Sequence, residues 1–271
     1  MKPIIVATDF SASAEYAMQY AARLATQLHT SLFLLHTYQM PVSMSDMPVM
    51  MVSVEELKNG TDRSLQQAAE QLKKSFPGLD VHTEGRLGDL VEELNELCDS
   101  MQPFAVVLGT KSYKGIEKLL FGNTSISVIR HCHYPVIAVP EKAIAAQPTN
   151  IVLATDLQNI DDIPAEQIIS LVRLFGAKLH LVHIRDGAEP EAGAREALLE
   201  KLADVHPVFH SVTDENVVEG LQRYVDESKA DLLMALPHKH NLYERMFFRL
   251  HTEGLIDKSP VPVMCLQKKP Q

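Results

Sequence analysis

Residues 3–38 read PIIVATDFSASAEYAMQYAARLATQLHTSLFLLHTY, and residues 150–185 read NIVLATDLQNIDDIPAEQIISLVRLFGAKLHLVHIR. The two stretches align without a gap, because the two Ala-Thr-Asp triplets and the two late histidines, His36 and His183, are each 147 positions apart. Such self-similarity at a fixed spacing indicates an internal repeat. The chain is therefore predicted to contain two copies of one folding unit.

Later landmarks extend the repeat to the end of the chain. GDLVEEL in the first copy resembles ENVVEGL in the second, and YPVIAVP from Tyr134 resembles VPVMCLQ from Val261. Matching residues of the two copies are closer together in the chain at these landmarks than at the Ala-Thr-Asp triplets, so the second copy is shorter. The predicted domains are residues 1–142 and 149–271, and the Ala- and Pro-containing stretch between them has the composition of a linker.

Within the first copy, the apolar runs PIIVAT, SLFLLH, AVVLG and YPVIAVP alternate with helical patterns. Runs of this kind suit strands that are covered on both faces. The alternation predicts an α/β fold with two repeated Rossmann-like domains, each a parallel, doubly wound sheet of about five strands. We expect the last strands, YPVIAVP and VPVMCLQ, to pair the copies into a pseudo-dimer, since an exposed apolar edge needs cover.

Composition excludes several classes of function. Apolar residues make up 46% and charged residues 22% of the chain, which is typical of a folded globular protein. The net charge is −10 and no basic cluster is present, so we expect no nucleic-acid partner. The N-terminal apolar run is too short for a signal peptide, and no later apolar run is long enough to span a membrane. The three cysteines are not spaced as metal ligands are. These features predict a cytoplasmic protein with buried thiols and no membrane contact.

A phosphate-binding loop is predicted at residues 109–125, GTKSYKGIEKLLFGNTS. Gly109 follows a predicted strand where the backbone must turn, and Gly122 precedes a helix start. The next residues offer hydroxyls, an amide and free backbone N–H groups to an anion. The loop lacks the Lys-Ser/Thr of a Walker motif, and no GxGxxG follows the first strand of either copy.

These features together resemble the universal stress protein family in its tandem, two-domain form. The resemblance covers essentially the whole chain and depends on ATDFS, LLHTY and the loop. In the nucleotide-binding branch of that family the loop follows Gly-x2-Gly-x9-Gly-Ser/Thr and wraps the phosphates and ribose of ATP. Gly109 and Gly122 fit this pattern, whereas Ser112 replaces a glycine and Asn123 replaces Ser/Thr. If position 112 needs a positive φ, the substitution costs about 1 to 2 kcal/mol, which weakens the site without abolishing it.

The resemblance implies one ATP or AMP site in the first domain, with Mg²⁺ as a further ligand. Asp9 would lie beside the ribose or metal, and the backbone of Thr37 would meet the adenine edge. The implied site residues are Ala7, Thr8, Asp9, Thr37, Gly109, Lys111, Ser112, Gly122, Asn123, Thr124 and Ser125. A structural alternative stays open, in which Asp9 shapes a turn or caps a helix and the glycines serve only turn and cap geometry.

The second copy departs further from the pattern. Alignment on the fourth strand places Ala235, His238, Phe248 and Arg249 at the four motif positions, so no motif glycine remains. Bulky side chains would occupy the path of the phosphates. We therefore expect the second domain not to bind nucleotide and to serve as a structural unit or a partner surface.

The sequence thus predicts an adenine-nucleotide-binding sensor or signalling protein that acts on a protein partner, as the single chain or as a homodimer. The alternative is a nucleotide-independent interaction protein with both sites degenerate. No nucleophile elbow, HExxH or paired catalytic carboxylates are present, so we expect at most slow ATP hydrolysis. The Met-rich segment 40–54 is either a lid or a loop on its own domain, and the HCH and HKH histidines lack a third metal ligand.

Overall fold

The protein is described by a computed structural model. It describes residues 2–40, 53–110, 123–141, 143, 147–185, 192–236 and 259–267. In the first copy the elements are β1 (Ile4–Ala7), α1 (Ala12–Gln27), β2 (Leu32–Tyr38), α2 (Val54–Ser75), β3 (Val81–Leu87), α3 (Leu90–Met101), β4 (Ala105–Thr110), α4 (Asn123–His131) and β5 (Val136–Pro140). In the second copy they are β6 (Asn150–Ala154), a 3₁₀ helix (Ile160–Asp162), α5 (Ala165–Phe175), β7 (Lys178–Arg185), α6 (Ala194–Lys201), a second 3₁₀ helix (Ala203–Val205), β8 (Val208–Thr213), α7 (Val217–Ser228), β9 (Leu232–Ala235) and β10 (Val263–Cys265).

The ten strands form one sheet in the order β3-β2-β1-β4-β5-β10-β9-β6-β7-β8. Within each copy all described neighbours are parallel, which confirms the predicted α/β class with two doubly wound units. In the first copy the order reverses between β1 and β4. Strand β3 was not among the apolar runs identified in the sequence. Its residues, VHTEGRL, are mostly polar and contain no continuous apolar run.

The two copies join through β5 and β10, as expected from their apolar sequences. This pair is antiparallel, with Val263 opposite Ala138 and Cys265 opposite Val136. The antiparallel junction reverses the strand direction of the second copy relative to the first. The carboxyl ends of the strands therefore lie at opposite edges of the sheet in the two copies.

Helices cover both faces of the sheet. Apolar side chains of α1, α2, α5 and α6 pack on one face, and those of α3, α4 and α7 pack on the other. Strand residues on both faces are buried, as in β1, where all four residues are inaccessible to solvent or nearly so. No helix among the described residues is long and apolar enough to cross a membrane.

Helix ends repeat between the copies. Asp89 caps α3 by accepting hydrogen bonds from the backbone N–H groups of Val91 and Glu92. Asn216, at the equivalent position, caps α7 in the same way. Both side chains satisfy N–H groups that have no partner inside the helix, and each such cap is worth about 1 kcal/mol.

A histidine pair distinguishes the outer part of the second copy. His180 on β7 stacks on His210 on β8 with ring centroids 5.4 Å apart, and its Nδ1 lies 3.0 Å from the hydroxyl of Tyr224 on α7. Burial, followed by the nearby His210 and Lys178, lowers the pKa of His180. The equivalent residue in the first copy is Phe33.

We predict that this pair makes stability depend on pH. The pKa of His180 is lower in the folded than in the unfolded chain, so its contribution is fully present above about pH 6.5 and is lost as the pH falls through the folded value. Urea unfolding at a series of pH values should show a smaller acid-induced loss in His180→Phe than in the wild type. An unchanged profile in His180→Phe would contradict the assignment.

Candidate functional site

The candidate site lies where the strand order of the first copy reverses, between β1 and β4. The carboxyl ends of parallel strands meet at one edge, so the residues after β1, the end of β2 and the end of β4 come together there. These residues are Ala7 at the end of β1, Thr8 and Asp9 directly after it, Thr37 near the end of β2, and Gly109 near the end of β4. The structure thus collects at one edge five of the residues implied by the sequence.

The turn after β1 is held by short-range hydrogen bonds. The buried Thr8 accepts a hydrogen bond from the N–H of Phe10 on its Oγ1 (3.0 Å), and its carbonyl lies 2.7 Å from Nδ1 of His36. Asp9 Oδ1 accepts from the N–H of Ser11 (3.0 Å), and Ser11 caps α1. The exposed carboxylate of Asp9 therefore shapes the turn and still faces solvent at the carboxyl edge.

The second copy repeats this turn in detail. Asp156 Oδ1 accepts from the N–H of Gln158 at 3.0 Å, and Nδ1 of His183 lies 3.1 Å from the carbonyl of Thr155. The residues after the two aspartates, Phe10 and Leu157, both have a left-handed backbone, with φ of 60° and 59°. Such a conformation is uncommon for bulky residues. The turn is thus a property of the repeat, and the aspartate alone does not mark a ligand site.

Thr37 offers backbone groups to the site. The β1–β2 ladder ends at Ala7 and Leu35, while β2 continues to Tyr38 along β3. The carbonyl of Leu35 points toward β1, where it accepts from the N–H of Thr8. Because backbone groups alternate in direction along a strand, the N–H and C=O of Thr37 point to the same side, beyond the last β1 residue of the ladder.

Glycine is needed at position 109 for a different physical reason from the one expected. It lies within β4, opposite Val139, and Thr110 continues the strand, so the backbone does not turn there. A Cβ at this position would lie 2.3 Å from the carbonyl oxygen of Ser13 and 2.8 Å from the backbone nitrogen of Ala14. The expectation of a turn glycine is therefore wrong. Gly109 is required because the first turn of α1 packs directly on β4.

The start of α4 lies against the end of β4. The hydroxyl of Ser125 donates to the carbonyl of Gly109 at 3.3 Å, and Thr124 in the same turn is exposed. Asn123 is the first residue of α4. Lys111, Ser112 and Gly122 lie outside the described residues, as do most of the Met-rich segment and both histidines of the HKH stretch. Of the HCH pair, His131 is engaged through Nδ1 with the carbonyl of Ser127 at 2.9 Å.

The carboxyl edges of the two copies differ in exposure. Phe10 is 38% exposed in the first copy, whereas its counterpart Leu157 is 2% exposed. The counterpart of Thr37 is Ile184, an apolar residue that is 7% exposed, and His183 is equally buried. Phe10 and Thr37 are therefore more exposed than their counterparts, whereas Ala7 and Thr8 are buried where Ala154 and Thr155 are half-buried.

The second copy also begins its first helix later. Its repeat turn is followed by a 3₁₀ helix, whose carbonyls at Ile160 and Asp161 accept hydrogen bonds from Lys201 Nζ at 2.8 and 2.7 Å. Helix α5 starts only at Ala165 and does not pack on β9 as closely as α1 packs on β4. The strand register also corrects the sequence alignment by one residue. Ile4 pairs with Ala105 and Ile151 pairs with Leu232, so Leu236 is the residue equivalent to Gly109, whereas Ala235 is equivalent to Leu108.

Sequence reasoning missed Ser13 and Phe10 as residues that shape the site. Ser13 presses its backbone on Gly109, and the Phe10 ring lies 4.7 Å from the His36 ring. The alignment of the two copies pointed in part to Phe10, because this residue aligns with an apolar residue of the second copy. The contact between Ser13 and Gly109 joins residues far apart in the chain and left no such signal.

We predict opposite effects from two glycine substitutions. Gly109→Ala should destabilise the protein by about 1 to 3 kcal/mol, because its Cβ meets backbone atoms that cannot rotate away. Gly60→Ala, inside α2 with nothing within 4 Å of its Cβ, should stabilise by about 0.5 to 1 kcal/mol. Urea unfolding of both variants checks this, and a neutral Gly109→Ala would refute the close approach of α1 to β4.

Comparison with known proteins places the chain in a family. Residues 1–140 and 148–267 match the model of the universal stress protein family. A universal stress protein of Mycolicibacterium smegmatis is 27% identical over 290 aligned positions, which cover 98% of this chain and 97% of that protein. A second one, from Methanocaldococcus jannaschii, is 32% identical over 76 residues, 27% of this chain and 45% of that protein.

Solved structures share the fold. A universal stress protein from Archaeoglobus fulgidus superposes with a TM-score of 0.77 at 16% identity, covering 98% of both chains. A protein of unknown function from Pseudomonas aeruginosa superposes with a TM-score of 0.63 at 16% identity, covering 99% of this chain and 93% of that one. At this identity the likeness concerns the fold alone. With both of its halves matched by the family model, the chain belongs to the universal stress protein family in a tandem, two-domain form.

Proposed function

We propose that this protein is an adenine-nucleotide-binding sensor or signalling protein with one ATP or AMP site, at the carboxyl edge of the first domain. The observation that carries the proposal is the contrast between the two edges. In the first copy Asp9 and Phe10 are exposed and Thr37 is half-buried, whereas the second copy buries Leu157, His183 and Ile184 and leaves Asp156 half-buried.

The first domain offers suitable groups for each part of a nucleotide. The N–H and C=O of Thr37 form a donor and acceptor pair for a base edge, and the Phe10 ring supplies apolar surface. The first turn of α4 presents Thr124 and backbone N–H groups to a phosphate, which the helix dipole favours. Asp9 would hold a ribose hydroxyl or the Mg²⁺ that accompanies ATP.

Two substitutions in the loop support the alternative, a nucleotide-independent interaction protein. Ser112 and Asn123 depart from the family pattern, and the contact with Ser13 gives Gly109 a packing role that needs no ligand. Under this alternative both domains would act only through their surfaces. The two proposals differ in a single measurable property, nucleotide binding by the first domain.

We predict that calorimetric titration with Mg-ATP detects one site per chain. Asp9→Asn should weaken binding roughly 10- to 100-fold, because it removes a charge while its Oδ1 still accepts the Ser11 N–H and preserves the turn. Asp156→Asn is the matched control, since that carboxylate makes the same turn in the second copy. It should leave affinity and stoichiometry unchanged.

A further variant tests whether the loop at residues 109–125 contributes to the site. Gly122→Phe should abolish binding, because a bulky side chain would occupy the path of the phosphates. Two sites per chain would contradict the assignment of the second domain. A bound ligand should stabilise the protein by about 2.7 kcal/mol when its concentration is a hundredfold above the dissociation constant. If the titration gives no heat and saturating nucleotide gives no thermal stabilisation, the nucleotide-independent interaction protein is favoured.

A further inference from the structure

Two of the three cysteines lie together where α3 and α4 end. Cys98 is on the buried face of α3, and Cys132 directly follows α4, where its N–H donates to the carbonyl of Val128. The two thiols are hydrogen-bonded to each other, and both are buried, at 0% and 1% exposure. The third cysteine, Cys265 on β10, is buried in the neighbouring domain.

A second contact fixes the same geometry independently. Asn95, one turn before Cys98 on α3, donates from Nδ2 to the carbonyl of His131 at 3.1 Å. His131 directly precedes Cys132. Helix α3 is therefore bonded to the end of α4 directly beside the thiol pair, which holds the two cysteines together.

The pair lies only one layer below the surface. His131 and His133, which flank Cys132, are exposed, and so is Asp99, the neighbour of Cys98. Helix ends open at low cost, and opening of the last turn of α4 would bring Cys132 to the solvent. The hydrogen bond to Cys132 and burial raise the pKa of the Cys98 thiol, so Cys98 stays protonated while the helix is closed.

We propose that Cys98 and Cys132 are a modification site, at which a peroxide converts the two thiols into a reversible disulfide. When the last turn of α4 opens, one thiol loses its proton to the solvent and attacks a peroxide oxygen as the thiolate. The O–O bond breaks, and the departing hydroxide takes up a proton and leaves as water. The other thiol attacks the resulting sulfenic acid, the S–O bond breaks, and a second water leaves. Two thiols and one hydrogen peroxide thus give one disulfide and two waters, with two electrons passing to the peroxide.

The second domain supplies the comparison. Its counterparts of Cys98 and Cys132 are Val225 and Ser259, both buried, so the site belongs to the first domain alone. The ring closed by the disulfide contains β4, residues 111–122 and α4. Oxidation would therefore cross-link the elements on both sides of the proposed phosphate loop, a consequence that rests on the proposed function.

The test is oxidation of the folded, full-length protein with hydrogen peroxide, followed by alkylation in denaturant and peptide mapping. We expect a Cys98–Cys132 linked peptide, and a fall from three titratable thiols to one that dithiothreitol reverses. The oxidised protein should melt higher by roughly 5 °C or more, because the cross-link restricts the unfolded chain.

Matched variants separate the pair from general oxidation. Cys98→Val, which copies Val225, should form no intramolecular disulfide, whereas Cys265→Ala should form it as the wild type does. Three thiols retained by the wild type, or a bond to Cys265 or between chains, would overturn the proposal. The mapping of the wild type decides this even if a variant fails to fold. Since no nucleotide is used, the result is independent of the proposed nucleotide site.

Discussion

The antiparallel pairing of β5 with β10 is the interaction on which the rest of the structure depends. It turns two five-stranded units into one ten-stranded sheet, and it covers the apolar edge that each unit would otherwise expose. Because the pairing is antiparallel, the two carboxyl edges face opposite ways. The edges are thus free to differ in function, and one can be open while the other is closed without either disturbing the junction.

The difference between the edges follows from where the first helix of each copy begins. In the first copy α1 starts directly after the turn at Asp9 and packs on β4, which requires Gly109. In the second copy a 3₁₀ helix held by Lys201 intervenes, and Leu157, His183 and Ile184 at the edge are buried. Gly109 therefore stabilises the first-copy architecture directly, and any role in holding a phosphate is additional to that packing role.

Much of this organisation could be predicted from the sequence, because it is encoded locally. The repeat indicated the number of units, and the apolar runs predicted most strands and the β5–β10 junction. What could not be predicted depends on contacts between distant residues. The polar strand β3 forms through its neighbours, the approach of Ser13 to Gly109 joins α1 to β4, and the thiol pair joins α3 to the residue after α4. No periodicity or spacing reports such contacts.

The central claim is that one edge of the sheet binds an adenine nucleotide and the other does not. Hydrogen exchange with and without saturating Mg-ATP, read by peptide mass spectrometry, tests it most directly, since a bound ligand slows exchange of the amides that it covers. The account predicts protection in peptides that contain Asp9, Thr37 and the start of α4, and unchanged exchange in those that contain Asp156 and Ile184. Equal protection at both edges, or protection at neither, would contradict it.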